Sequence, residues 1–257
     1  MFTIAHLTDT HFGSRPEVAD RNRRVVEAVA ALAPDVVVVT GDVADHGTAQ
    51  EYAEAREVLG ALPAPVLWCP GNHDVREAFA TALFGTSATE TLDVVFEVGG
   101  HRFLMLDSLV PAVAGARVDH GELGEATLDW LAAELAASTL PALVCLHHPP
   151  VSLGIDWIDD IALRDPERLE AIVSQHPHVL ATLVGHAHTA AASTFAGRPL
   201  LVGGAVSSTA SVPSGGRDSN GSLPAAGRGE VWVDAPPSYA VHLVTDDLRL
   251  VTHWRSV

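Results

Sequence analysis

Short apolar runs alternate with helical stripes through most of the chain. Residues 2–7 read as a buried strand. Residues 36–39 are four consecutive valines, a run that suits a strand covered on both faces. Segments 65–69, 142–146 and 179–184 are further strand-sized apolar runs. Between them, Val25, Val26, Val29, Ala30 and Leu32 recur at helical spacing, which predicts a helix over 20–32. Further helices are predicted over 49–60, 76–84, 123–137 and 166–174. Segments 91–98 and 102–106, joined by Gly99-Gly100, read as a hairpin. From Ala190 the pattern is mostly β, closing with a hairpin of 239–244 and 248–254 around Asp246-Asp247. Strand–helix alternation followed by strands predicts an α/β fold of two packed sheets flanked by helices. The one low-complexity stretch, 212–229 (VPSGGRDSNGSLPAAGRG), is expected as a mobile loop within a single domain spanning 1–257. A plain surface excursion and a flap over a site are both open readings of it.

Composition narrows the classes. The 257 residues are 47% hydrophobic and 18% charged, a globular balance. Lys+Arg 15 against Asp+Glu 32 leaves −17, and no basic run occurs, so neither a nucleic-acid polymer nor an anionic membrane is an expected partner. Two cysteines, Cys69 and Cys145, make no disulfide framework and read as buried thiols of a reducing compartment. The start MFTIAHLTD has no leader pattern, and no apolar run approaches the roughly 20 residues of a membrane helix. A cytoplasmic location is expected.

The chemistry lies just after the strands. Asp9-Thr10-His11, Gly41-Asp42, Gly71-Asn72-His73-Asp74, His147-His148-Pro149-Pro150 and Gly185-His186-Ala187-His188 each follow a predicted strand. The ends of neighbouring strands converge in an α/β sheet, and sites form there. Carboxylate, carboxamide and imidazole without thiolate suit borderline-to-hard divalent ions such as Mn, Fe, Co or Zn. Asp9 and His11, two apart, project to one side if the segment is extended, and His186 and His188 repeat the spacing. Seven candidate ligands exceed the needs of one ion, and a carboxylate such as Asp42 can bridge two. Singly, each motif has a plainer reading; Asp74, for example, is placed to cap the helix after it.

Together and in this order, DTH, GD, GNHD, HHPP and GHAH resemble the calcineurin-like metallophosphoesterase superfamily. The resemblance is closest to its class III cyclic-nucleotide phosphodiesterases and bacterial glycerophosphodiesterases, and runs from Ile4 to about His188. Thr40-Gly41-Asp42, Gly47, Glu51-Tyr52, Pro65, Gly154-Ile155, Asp159, Pro236-Pro237-Ser238-Tyr239 and His242 extend it. The resemblance implies a four-layer αββα sandwich with a dinuclear centre of two divalent ions (Fe, Mn or Zn) at one edge. It assigns one ion to Asp9, His11, Asp42 and His188, and the other to Asp42, Asn72, His147 and His186. His148 supports the loop in this scheme, His73 faces the substrate phosphate, and Asp74 orients His73. A departure lies after GHAH, where Ser207 or Ser208 stands in place of a further histidine of related glycerophosphodiesterases.

The implied activity is hydrolysis of small phosphodiesters by in-line attack of a metal-bridging hydroxide. Cyclic 3′,5′-nucleotides come first as substrates, and glycerophosphodiesters next. A phosphomonoesterase or nucleotide pyrophosphatase, and a metal-binding scaffold without turnover, are the competing readings. Arg217, Arg228 and Trp157 are candidate contacts for the leaving group. The hairpin of 91–106 offers an edge for a homodimer.

Overall fold

The valine run shows how the layers form. In the computed structural model, which describes residues 1–88, 90–212 and 232–257, Val36 and Val38 join an apolar cluster with Ile4, Leu67, Phe103, Met105, Leu143 and Leu183. Val37 and Val39 join another with Val25, Val29, Tyr52 and Leu59. Alternate residues of one strand thus face different layers, and both faces are apolar because both are covered.

In chain order the elements are β1 (Phe2–Leu7), α1 (Pro16–Leu32), β2 (Val36–Thr40), α2 (Ala49–Leu59), β3 (Val66–Cys69), α3 (Arg76–Phe79), β4 (Val94–Val98), β5 (His101–Met105) and α4 (Glu125–Ala136). They continue with β6 (Ala142–Cys145), α5 (Asp156–Asp159), α6 (Glu167–Ser174), β7 (Val179–Val184), β8 (Ala191–Phe195), β9 (Arg198–Val202), β10 (Thr209–Ala210), β11 (Trp232–Val233), β12 (Ser238–Val244) and β13 (Leu250–Ser256). One sheet has the order β13-β12-β1-β2-β3, the other β4-β5-β6-β7-β9-β8. β1, β2 and β3 run parallel, as do β5, β6, β7 and β9, and the remaining strands of both sheets are antiparallel. The cluster of Ile4, Val36 and Val38 fills the space between the sheets. α1 and α2 cover the outer face of the first sheet, and α4 and α6 cover that of the second with Leu131, Leu135, Leu169 and Val173. This is the expected αββα sandwich.

Boundaries differ where local chemistry intervenes. α1 starts four residues before the predicted start, because Pro16 takes the first helical position, where its missing N–H is not needed. The predicted 76–84 helix changes after Phe79 into a π turn that closes on Gly85 at φ 69°. The first strand of the hairpin begins at Val94, because the Leu92 N–H donates to Asp107 and the Asp93 carboxylate accepts the Asp107 N–H. Cys69 and Cys145 are buried free thiols in the layer between the sheets. No helix among the described residues is long and apolar enough to cross a membrane. Of the low-complexity stretch 212–229, all but Val212 lies outside the described residues, as do Arg217 and Arg228.

Candidate metal centre

The parallel strands of both sheets end at one rim. Asp9 and His11 follow β1, Asp42 follows β2, Asn72 follows β3, His147 follows β6, and His186 and His188 follow β7. The structure brings all seven together. Five of them sit in the left-handed backbone region: Asp9 (φ 52°), His11 (42°), Asp42 (49°), His186 (68°) and His188 (51°). Side chains disfavour that region, and such strain gathers at functional sites. It corrects the expected geometry of both spaced pairs. Asp9-Thr10-His11 and His186-Ala187-His188 are not extended; sharp turns aim the paired side chains inward. Backbone bonds hold the turns, with Asp9 N–H donating to Gly41 O (3.1 Å), His11 N–H to Asp42 O (3.0 Å) and Ser207 N–H to Asp9 O (3.0 Å).

Two groups of ligand atoms result. In the first, Nε2 of His188 lies 3.4 Å from Oδ1 of Asp9 and 3.3 Å from Nε2 of His11, which is 3.5 Å from Oδ2 of Asp42. In the second, Nε2 of His147 lies 3.1 Å from Oδ1 of Asn72, 3.2 Å from Nδ1 of His186 and 3.5 Å from the same Oδ2 of Asp42. The Asp42 oxygen is therefore equidistant from one imidazole of each group. Close approach needs two glycines here. A Cβ on Gly41 would stand 2.5 Å from Nδ1 of His147, and one on Gly71 would run into the carboxylate and main-chain nitrogen of Asp42.

Divalent ions fit this geometry because acceptors face acceptors. The Nδ1 of His147 lies 2.7 Å from the carbonyl of Thr40, so that nitrogen carries the proton and Nε2 presents a lone pair to Asn72 and Asp42. Asn72 turns its oxygen inward because its amide nitrogen donates to Asp119. Nδ1 of His11 donates to Oδ1 of Asp45 (2.9 Å), leaving its Nε2 lone pair against the Nε2 of His188. Oδ2 of Asp9 accepts from Thr8 and from the His186 N–H, while its buried Oδ1 has no hydrogen-bond partner. Uncompensated convergence of this kind is costly in a buried site. A proton is the other cation that can relieve it. Burial opposes charge on His147, yet the Asp42 carboxylate overcomes this and raises its pKa to about 9. The donor set of oxygen and imidazole suits two divalent ions. His148 stands apart, with Nε2 donating to the Asp119 carbonyl and Nδ1 accepting from Ser108, so it has no free lone pair.

Asp74 departs from both of its expected roles. Its carboxylate accepts from the N–H groups of Val43, Ala44 and Gly71 and from the Tyr52 hydroxyl, so it pins the Asp42 loop to the Asn72 loop. It neither caps α3, whose N-cap Val75 has no side-chain bond, nor orients His73. His73 is instead held at Nδ1 by the Asp45 carbonyl, 2.9 Å away. Burial lowers the His73 pKa. Asp45 was missed by sequence reasoning, although its signal was present: it lies three residues past Asp42, inside the same turn. Ser208 holds Nδ1 of His188 at 2.9 Å. Arg117 was also missed; its Nη1 is 3.0 Å from Nδ1 of His73, and its loop carries no motif.

His73 and Asp45 line two cavities. One, of about 660 Å³, continues past His11 and His188 to Arg21, Ser207 and Trp232. The other, of about 560 Å³, continues past Asn72 to Val75, Leu109 and Arg117. Trp157 is partly buried against the second-sheet core and meets Trp232 edge-on, and the Trp232 ring lies 5.0 Å from that of His188.

A family model for calcineurin-like phosphoesterases matches residues 2–190. A probable cyclic nucleotide phosphodiesterase of Rhodococcus erythropolis is 37% identical over 213 residues, covering 77% of this chain and 69% of that protein. The glycerophosphodiester phosphodiesterase GpdQ of Enterobacter lignolyticus is 36% identical over 200 residues, 72% of this chain and 70% of its own. The 3′,5′-cyclic adenosine monophosphate phosphodiesterase CpdA of Pseudomonas aeruginosa is 34% identical over 195 residues, 72% and 69% of the two chains. Among solved structures, a dimetal phosphatase of Danio rerio shares the fold over 99% of this chain and 96% of its own, with a TM-score of 0.73 at 16% identity. By the span of the family match and the identity of these relatives, the chain belongs to the calcineurin-like phosphoesterase family.

Proposed function

We propose that the protein is a metal-dependent phosphodiesterase of small diesters, with 3′,5′-cyclic nucleotides as its first substrate class and glycerophosphodiesters as its second. The observation that carries this reading is the Asp42 oxygen placed 3.5 Å from an imidazole of each ligand group. Asp9, His11, Asp42 and His188 would hold one divalent ion, and Asp42, Asn72, His147 and His186 the other. Such ions supply Lewis acidity at the phosphoryl group and lower the pKa of water from 15.7 to about 7. The protein's own groups set the geometry. Asp45 and Thr40 fix the tautomers of His11 and His147, and Asp119 fixes the Asn72 amide. His73 lines both cavities with Nδ1 held by the Asp45 carbonyl, so its Nε2 would donate to a phosphoryl or leaving oxygen in the protonated form and accept a proton in the neutral one.

Cyclic nucleotides are placed first because two of the relatives above carry that activity in their names. Ser207 or Ser208, in place of the further histidine of related glycerophosphodiesterases, weakens transfer of their substrate preference, and the Ser208 hydroxyl is engaged with His188. A cytoplasmic location accords with the two free thiols. The test compares hydrolysis of bis-p-nitrophenyl phosphate and p-nitrophenyl phosphate after Mn²⁺ loading and again after chelation. Fast, chelator-sensitive diester cleavage supports the reading, and cyclic AMP against glycerophosphocholine then orders the two classes. Preference for the monoester overturns it.

A further inference from the structure

The cavity on the Asn72 side of His73 has an apolar wall of Val75, Leu109, Val110, Pro111 and Ala112, with Arg117 near its metal end. Of its other basic side chains, Arg76 is held by both oxygens of Asp107 (2.6 and 3.2 Å) and by the Leu109 carbonyl, and His46 is paired with Glu51 (2.9 Å). Glu77 and Asp45 add negative charge to the same cavity. Arg117 differs from Arg76 in that its hold is incomplete. Its Nε donates to Asp119, its side chain is 47% exposed, and its Nη1 faces Nδ1 of His73 at 3.0 Å. That imidazole nitrogen is also 2.9 Å from the Asp45 carbonyl. One nitrogen cannot donate to the carbonyl and accept from the guanidinium at once, so the two contacts compete. The Asp45 carbonyl belongs to a fixed turn, whereas Arg117 is on an exposed side chain and is free to give its contact up.

We propose that Arg117 binds substrate: with a diester in place its guanidinium exchanges His73 for a non-bridging phosphoryl oxygen, and the apolar cavity beside it seats one uncharged ester arm. The inference rests on the phosphodiesterase reading and narrows it. An apolar or aromatic arm, such as a nucleoside, suits the wall. A second phosphate, as in a pyrophosphate, would meet Glu77 and Asp45 with Arg76 and His46 already paired to carboxylates. A guanidinium also matches a phosphoryl group in shape, by two parallel N–H bonds.

The test uses the full chain loaded with Mn²⁺ and three variants, R117M, R117K and A112E. Metal content is measured by mass spectrometry, inorganic phosphate affinity by calorimetry, and kcat and KM on bis-p-nitrophenyl phosphate. R117M is expected to keep its metal, to bind phosphate about 10- to 100-fold more weakly, and to lose kcat/KM by a similar factor mainly through KM, the range of a lost charge-assisted hydrogen bond. R117K restores part of both. A112E puts a carboxylate on the exposed wall; it is expected to lower diester kcat/KM about tenfold and to leave phosphate affinity, which involves no arm, within about twofold. Phosphate affinity of R117M within about twofold of wild type, or a loss that excess Mn²⁺ restores, overturns the assignment of Arg117. Equal effects of A112E on diester and phosphate, or none on the diester, overturn the arm site. A wild type without chelator-sensitive diester cleavage removes the phosphodiesterase reading instead, and phosphate affinity still decides the role of Arg117.

Discussion

Asp45 performs two tasks with two different atoms, and one substitution separates them. Its carboxylate Oδ1 lies 2.9 Å from Nδ1 of His11, and its main-chain oxygen lies 2.9 Å from Nδ1 of His73. Asp45→Asn keeps the volume and the carbonyl and removes only the charge. The bond to His11 then changes from charge-assisted to neutral, roughly half as strong, and the imidazole becomes a poorer donor to an ion. Burial opposes charge on His11, and the neighbouring carboxylates, Asp45 foremost, more than reverse this and raise its pKa. Loss of a carboxylate behind a ligating histidine costs about 10- to 100-fold in metal affinity, or about 1.4–2.7 kcal/mol. The Asp45 side chain is 22% exposed, so water screens part of the effect and the lower end is expected. Because the His73 contact survives, kcat at saturating metal should stay within about threefold of wild type. The assay strips the protein with chelator, titrates Mn²⁺ by calorimetry, and follows diester hydrolysis over the same titration. An unchanged metal titration refutes the reasoning. Normal affinity with a kcat that excess metal does not restore refutes it too, and moves the carboxylate to the substrate side.

Two other perturbations test separate parts of the structure. Asn72→Ala removes an oxygen ligand and its tie to Asp119, so activity should fall by roughly 100-fold together with one equivalent of bound metal; full activity at full metal content removes Asn72 from the centre. The buried relay Thr40–His6–His242–Thr252, which reaches the rim only at Thr40, predicts acid sensitivity from groups outside the ligand set. Burial pushes the His242 pKa down to about 3 and the His6 pKa well below its usual value. From about one unit below pH 6.5 the unfolded chain binds two protons that the folded chain refuses, so lowering the pH costs up to about 2.7 kcal/mol of stability per unit from this pair. In chelator, the unfolding free energy of His242→Asn from urea titration should depend less steeply on pH, by up to about 1.4 kcal/mol per unit; an equal slope means that His242 is not buried neutral.

The layers were legible because burial on two faces leaves a plain mark. A run such as Val36–Val39 admits few other readings, and each polar cluster sits where such a run ends. The seven ligand candidates came from that placement and from the family likeness. The backbone that aims them was not legible. Nothing in the letters of Asp9-Thr10-His11 reports a φ of 52° at Asp9, because the turn is imposed by bonds to Gly41 and Asp42, about thirty residues away. Asp74 was misread for a related reason. A carboxylate before a helix is a common cap, but here three amides and the Tyr52 hydroxyl outcompete α3 for it. Arg117 was invisible because its loop has neither periodicity nor motif, and only the fold brings it to His73.

The strained turns and facing lone pairs oppose folding, and other parts of the molecule must outweigh them. Left-handed backbone at a residue with a side chain costs of order 1–3 kcal/mol, and five such residues gather at one rim. The apolar layers beneath offset this. Ile4, Leu7, Val36–Val39 and Leu183 are essentially excluded from water, and each such side chain contributes about 1.5–3 kcal/mol. The rim is therefore held by strands that cannot shift without opening a core on both faces, so Asp9 and Asp42 cannot relax apart to relieve their repulsion. A divalent ion relieves it without movement, and its binding energy adds to the stability of the fold. The groups proposed to face substrate stand outside this rigid set. His73 is partly exposed and Arg117 half-exposed, beside a ligand set that is buried. A centre that must not move and a binding surface that must exchange partners are thus built from different parts of one rim.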